Sequence, residues 1–96
     1  MKLKVLPRAS RDLVEIHAHI SANDVHAALL VLARLKKSLA LIADRPEIGR
    51  QGEDPRTKEW SVPGLPYVIP YRVRGDTVEV LRVFHTSRGR PPQWVG

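Results

Sequence analysis

Charged and apolar positions alternate from Lys2 to Leu6, Lys2 and Lys4 against Leu3 and Val5. This predicts a short strand with one buried face, stopped at Pro7. From Ala9 to Ile20 the period changes. Ala9, Leu13, Ile16 and Ile20 recur at helical spacing, with Arg11, Asp12 and Glu15 outward and Pro7 suited to the first turn. Ser21-Ala22-Asn23-Asp24 is a break holding two N-cap candidates, so a second helix is expected from Val25 to about Ala43. Its stripe is Val25, Ala28, Leu29, Leu32, Leu35, Leu39, Ile42 and Ala43, without Gly or Pro. Each large aliphatic on it contributes roughly 1.5 to 3 kcal/mol when buried, so this helix is expected to hold much of the fold together. Leu30, Val31 and Leu41 fall off the stripe, and an extra apolar flank calls for something to cover it.

The segment from Asp44 to Pro55 is rich in turn formers and reads as a loop, followed by a short strand from Lys58 to Val62 carrying Trp60. After Pro63-Gly64-Leu65-Pro66, Tyr67, Ile69, Tyr71 and Val73 alternate with Val68, Pro70, Arg72 and Arg74. Gly75-Asp76 can supply the positive φ that a two-residue turn needs at its first central position, and Thr77 to Phe84 is then the return strand of a hairpin. That return strand is apolar on both faces, Val78 and Val80 on one and Leu81 and Val83 on the other, as in the interior of a sheet. Pro70 is out of place in such a hairpin, because proline removes a ladder donor and belongs on an edge or at a bulge. The order β-α-α-β-β-β predicts an α+β fold: an antiparallel helical hairpin packed on one face of a small, mainly antiparallel sheet. The other face is expected to be open and to collect Arg72 or Arg74, together with Arg82 and the tail.

Ninety-six residues make one domain, 1–96, with a modest core. A formal charge of +6 and a pI of about 10.3 point to an anionic partner without naming it. The chain has no cysteine, which excludes disulfides, thiolate metal sites and a thiol nucleophile. No apolar run reaches the roughly 18 residues of a membrane span, and the N-terminus lacks a signal peptide's apolar centre, so a cytoplasmic protein is expected.

The first strand and helical hairpin, Pro46-Glu47-Ile48-Gly49-Arg50, Trp60, Tyr67-x-x-x-Tyr71-Arg72-Val73, Val80-Leu81-Arg82-Val83-Phe84-His85 and the closing Arg88-x-x-Pro91-x-x-Trp94 together resemble the RelE/ParE superfamily of toxins from type II toxin-antitoxin modules. The resemblance covers nearly the whole chain. It implies a small toxin neutralised by a cognate antitoxin whose C-terminal segment wraps the helical hairpin and sheet. It also implies one of two targets. RelE-like members cut mRNA on the ribosome with basic residues on the sheet, whereas ParE-like members poison DNA gyrase. The nuclease branch has an arginine just after the aromatic that opens the third strand and a tyrosine near the C-terminus. Here those positions carry Val68 and Trp94, and neither tyrosine lies beyond residue 71. One nuclease subgroup ends its last strand in a histidine, which His85 matches, followed here by Thr86. The leaning is therefore to a ParE-like gyrase poison, with the ribosome and mRNA as the alternative target.

His85 is the one side chain of the tail suited to proton transfer near neutral pH, and Arg82, Lys58 or Arg88 could stabilise phosphorane-like charge beside it. The competing reading packs the His85 ring on Trp60 or a tyrosine. Arg82 interrupts an apolar run, so it must face the open side or find a carboxylate such as Glu79 or Glu59. Arg50, Lys58, Arg72, Arg88 and Arg90 are the candidate target-binding cations; residues 80 to 96 hold three arginines and no acid. Leu30, Leu41 and Trp94 are candidates for binding the antitoxin or, for the two leucines, a second copy. His17 and His19 point about 200° apart on a helix, so no metal is expected, and nothing implies a cofactor. Ser87 beside His85 lacks the third orienting group that a hydrolase needs. The pattern fixes no oligomeric state.

Overall fold

The computed structural model describes residues 1–88, Arg88 in its backbone alone; Arg90 and Trp94 lie outside the described residues. The elements are β1 (Lys2–Val5), α1 (Pro7–Ser21), α2 (Val25–Asp44), β2 (Arg50–Gln51), β3 (Lys58–Ser61), β4 (Tyr67–Arg74), β5 (Thr77–Val80) and β6 (Phe84–His85), closed by a 3-10 turn at Thr86–Arg88. The expected α+β architecture is present. Pro7 opens α1, where its missing N–H is not needed, and Asp24 caps α2 by accepting from the Ala27 amide at 3.0 Å.

The sheet runs β1-β5-β4-β3-β2, with β6 pairing β4 beyond the end of β5. All pairs are antiparallel except β1 with β5, because the chain crosses over through both helices before returning beside its first strand. The loop expected between α2 and β3 contributes a two-residue strand, β2, since Arg50 and Gln51 pair with Glu59 and Lys58. Gly75 alone in the β4–β5 turn has a positive φ, 58°, as a two-residue hairpin requires of its first central residue.

One face of the sheet packs on the helices. Ile69, Tyr71, Val78 and Val80 meet Ala9, Leu35, Leu39 and Ile42 there, all fully or nearly fully buried. Trp60 lies on the same face and donates its indole N–H to Ser38 Oγ at 3.2 Å. The apolar stripe expected on α2 is shifted. Within its first two turns only Ala28 is buried, while Val25 and Leu29 are exposed. Leu30 (56% exposed) and Leu41 (38%) stay on the surface.

The single return strand expected from Thr77 to Phe84 is broken in two, and Pro70 explains why. On the β5 side, Tyr71 pairs with Val80 and Arg74 with Thr77; further on, Val68 pairs with Phe84. Three residues, 81–83, therefore span what two residues, 69 and 70, span on β4, which is a β-bulge. Leu81 N–H donates to the Pro70 carbonyl at 2.9 Å, but proline has no N–H to return the bond, so the ladder ends there. The extra residue restores Val83 to the helix-facing core, whereas Leu81 is buried outside that cluster.

Asp12 fastens this bulge to α1. Expected on the outside of its helix, it is buried: its carboxylate accepts from Arg82 Nε (2.7 Å), Arg82 Nη2 (3.0 Å) and the Val83 amide (2.9 Å). Arg82 thus finds its carboxylate on α1, not in Glu79 or Glu59, and does not lie with Arg72 on the open face. Replacing Asp12 with Ala leaves the guanidinium and a buried amide without their acceptor, and a loss of about 3 kcal/mol is expected in urea unfolding.

Candidate functional site: the cationic face of the sheet

Residues paired across a sheet share a face, so the register assigns the surface opposite the helices. Lys4, Glu79 and Arg72 form one row across β1, β5 and β4; Lys2, Thr77 and Arg74 form the next. Arg50, Glu59 and Pro70 form a third across β2, β3 and β4. Both Arg72 and Arg74 belong here, since residues two apart in a strand point the same way. Five cations thus share the face with two glutamates, and both glutamates are buried.

Each carboxylate is a clamp for arginine. Glu79 Oε1 accepts from Arg72 Nε at 2.7 Å and lies 3.6 Å from Arg74 Nε. The Arg72 hydrogen bond, helped by the nearby charges of Arg74 and Lys4, holds the Glu79 carboxyl below its usual range against the opposing effect of burial. Glu59, almost wholly enclosed, is 3.5 Å from Arg50, whose side chain remains mostly exposed. Arg74 and Lys4 therefore carry charge beyond what Glu79 neutralises.

The segment leading into β2 and β3 is rigidly built. Tyr71, buried, donates its hydroxyl to the Pro46 carbonyl at 2.7 Å and accepts from the Gly49 amide at 2.9 Å. A Cβ at Gly49 would lie 2.5 Å from that hydroxyl oxygen, so glycine is required for the approach. Burial pushes the Tyr71 phenol above its ordinary value. Beyond β2, Gln51 Nε2 bonds the carbonyls of Asp54, Pro55 and Thr57, and Arg56 grips Asp54 through Nε (3.0 Å) and Nη2 (2.8 Å). Hydrogen bonds from Arg56 lower the half-buried Asp54 carboxyl to about 2.

His85 lies apart from these cations. Its ring meets Tyr67 edge-on, centroids 5.3 Å apart, which matches the packed reading with a tyrosine as neighbour. Nδ1 accepts from the Ser87 amide at 3.1 Å and lies 2.7 Å from Ser87 Oγ. A neutral ring in this arrangement carries its proton on Nε2, so neither nitrogen offers a free lone pair to a substrate hydroxyl. No carboxylate orients His85 among the described residues, and no cluster of three or more metal-ligating side chains occurs among them. Lys58 shares a face with Trp60 and Tyr71, on the side away from Arg72.

The structure therefore unites Arg50 and Arg72, places Arg74 with Arg72 where one of the two was expected, and adds Lys2 and Lys4, which the motif search passed over. The signal for Lys2 and Lys4 was their alternation with Leu3 and Val5; what it lacked was the neighbour of β1. Arg82, His85 and Lys58 are not part of this face. The five cations of the face, beside two buried carboxylates, make up the candidate site.

Comparison with known proteins supplies the family. The family profile described as "ParE toxin of type II toxin-antitoxin system, parDE" matches residues 3–90. The chain is 40% identical over 84 residues to "Putative toxin Y4kP" of Sinorhizobium fredii, covering 88% of this chain and 86% of that one. It is 34% identical over 80 residues to "Toxin RelE1" of Caulobacter vibrioides, covering 81% and 85%. A chain of the "Chromosomal ParDE TA system from P. aeruginosa" shares the fold with a TM-score of 0.80, at 24% identity over 88% of this chain and 95% of that one. The protein belongs to the ParE toxin family of type II toxin-antitoxin systems. A cognate antitoxin is accordingly its partner. No helix among the described residues is long and apolar enough to cross a membrane.

The clamps make acid stability testable. Glu79, with its folded value depressed, contributes stability that is fully present above its ordinary value of about 4.5 and is lost as pH falls through the lower folded value. Glu79→Gln removes this titration, so its urea midpoint is expected to decline less steeply than the wild type's below that pH.

Proposed function

We propose that this toxin inhibits growth by binding and poisoning DNA gyrase, without covalent chemistry of its own. The observation that carries the reading is the cationic face, where Arg50 and Arg74 stay largely exposed beside buried carboxylates and Arg72 is fixed between them by Glu79, while Arg82 is committed to Asp12 on α1 and His85 to Ser87. Prealigned guanidinium groups favour recognition of a carboxylate- or phosphate-rich surface, because less side-chain freedom is lost on contact. The departures from the nuclease pattern at Val68 and Trp94 favour the same side of the superfamily, as does its resemblance to ParE-like members. Arg88 and Arg90 extend the candidate contacts beyond the described side chains.

With gyrase and supercoiled plasmid, the purified protein is expected to accumulate cleaved DNA complexes. Arg50→Ala combined with Arg72→Ala reduces them at least tenfold, and His85→Ala leaves them unchanged. Cleavage of mRNA in the ribosomal A site, abolished by His85→Ala, would replace this reading with the nuclease one, for which the identity to "Toxin RelE1" speaks.

The antitoxin is assigned to the flank of α2 that carries Leu30 and Leu41. Beside it, Arg34, Lys37, Ser38, Leu41, Val62 and Pro63 line a largely apolar groove of about 470 Å³. Apolar anchors framed by acidic residues suit that groove, and Trp94 is a further candidate contact. Leu30→Lys with Leu41→Lys is expected to weaken antitoxin binding at least tenfold by calorimetry with the fold intact, since both side chains lie on the surface.

A further inference from the structure

An apolar groove runs between the two helices. Leu13, Val14 and His17 of α1 and Leu32 and Lys36 of α2 line it without any strand residue, and its volume is about 350 Å³. Val14 is 66% exposed, and Val25 and Leu29, on the same flank of α2 as Leu32, are 62% and 56% exposed. Aliphatic side chains gathered in the open in this way form a contact surface. Charge is scarce there as well. In a chain with 27% charged residues, the groove holds one formal charge, on Lys36, and interface cores are depleted of charge in the same manner.

The spacing says what kind of element fits. Val25, Leu29, Leu32 and Lys36 follow one another at steps of four, three and four residues, which is the seam of helices that pack side by side in a bundle. Leu30 and Leu41 lie about 100° or more farther round α2, so this flank is distinct from the one assigned to the antitoxin. The ends of the seam say which helix. Asp24 precedes it and Lys36 closes it; both are exposed, and neither forms an ion pair among the described residues. A twofold axis midway between them sets Asp24 of one copy beside Lys36 of the other, on both sides of the axis, with Leu29 and Leu32 of both copies in the middle. Any other occupant needs a base and an acid at that same separation, whereas a second copy supplies both. Exposed ion pairs contribute little energy, so the aliphatic side chains drive this contact and the charges set its direction. The cations of the sheet do not oppose it. They lie on the face opposite the helices, and pairing through the helices keeps those of the two copies apart.

We infer that the protein self-associates as a twofold dimer, hairpin against hairpin, through the groove between α1 and α2. The dimer is independent of the proposed function and holds for either target. Sedimentation of the full chain over a range of concentrations is expected to show a monomer–dimer equilibrium. Val14→Lys with Leu29→Lys, both at exposed positions, weakens self-association at least tenfold, and Leu30→Lys with Leu41→Lys leaves it unchanged. Lys36→Asp and Asp24→Lys each weaken it, whereas an equimolar mixture of these two variants dimerises, because each copy then offers the charge the other needs. Circular dichroism checks that α2 survives the loss of its Asp24 cap. The inference is overturned by a monomer at every concentration or by a mixture that associates no better than its components. It is equally overturned if Val14→Lys with Leu29→Lys spares self-association and abolishes antitoxin binding, which gives the groove to the antitoxin.

Discussion

The bond between Asp12 and the bulge at 81–83 is the constraint on which the rest of the molecule depends. A proline in an interior strand breaks one ladder bond, and the chain answers with an extra residue instead of a gap. That residue leaves the Val83 amide and the Arg82 guanidinium on the helix side of the sheet, where both would be costly without a partner. One carboxylate on α1 satisfies them together, so the first helix, the central hairpin and the last strand are held in a single arrangement. The positions of β6 and of the 3-10 turn after it follow from this one junction.

The same physical rule organises the opposite face to a different end. Arg50 stands beside a buried glutamate with its side chain mostly exposed, so its charge stays available, whereas Arg72 is itself largely enclosed and paired with Glu79. The open face holds more cations than carboxylates, and the surplus lies toward β1 and the hairpin end. Arg82, like Arg72, has its charge answered by a buried carboxylate. Whether a guanidinium serves binding or cohesion is decided by how many carboxylates lie within reach and how far solvent enters, not by its being arginine.

The proposed contact surface is mounted on rigid elements. Tyr71 ties the segment of Pro46 and Gly49 to the sheet, and Gln51, Thr57 and Asp54 bind the following turn to itself, so that Arg50 projects from a built surface although it stands beside what reads as a loop. A toxin that acts by occupying a macromolecular partner gains from such a surface, because little is left to order on contact.

Local pattern carried the first strand, both helices, the Gly75 turn and the expectation that Pro70 lies on an edge or at a bulge, because each depends on residues near one another in sequence. It also carried the basic character of one face. The parallel docking of β1, the pairing of Asp12 with Arg82 across 70 residues and the burial of Glu59 and Glu79 were decided only by the tertiary structure. A helix pattern marks Asp12 as outward because it scores polarity, and polarity is silent about a partner brought from the far end of the chain. By itself the sequence determined which groups must be satisfied; the packing of α1 against the bulge and of β1 against β5 decided which group satisfies each, since that is a matter of distance in space and not of spacing along the chain.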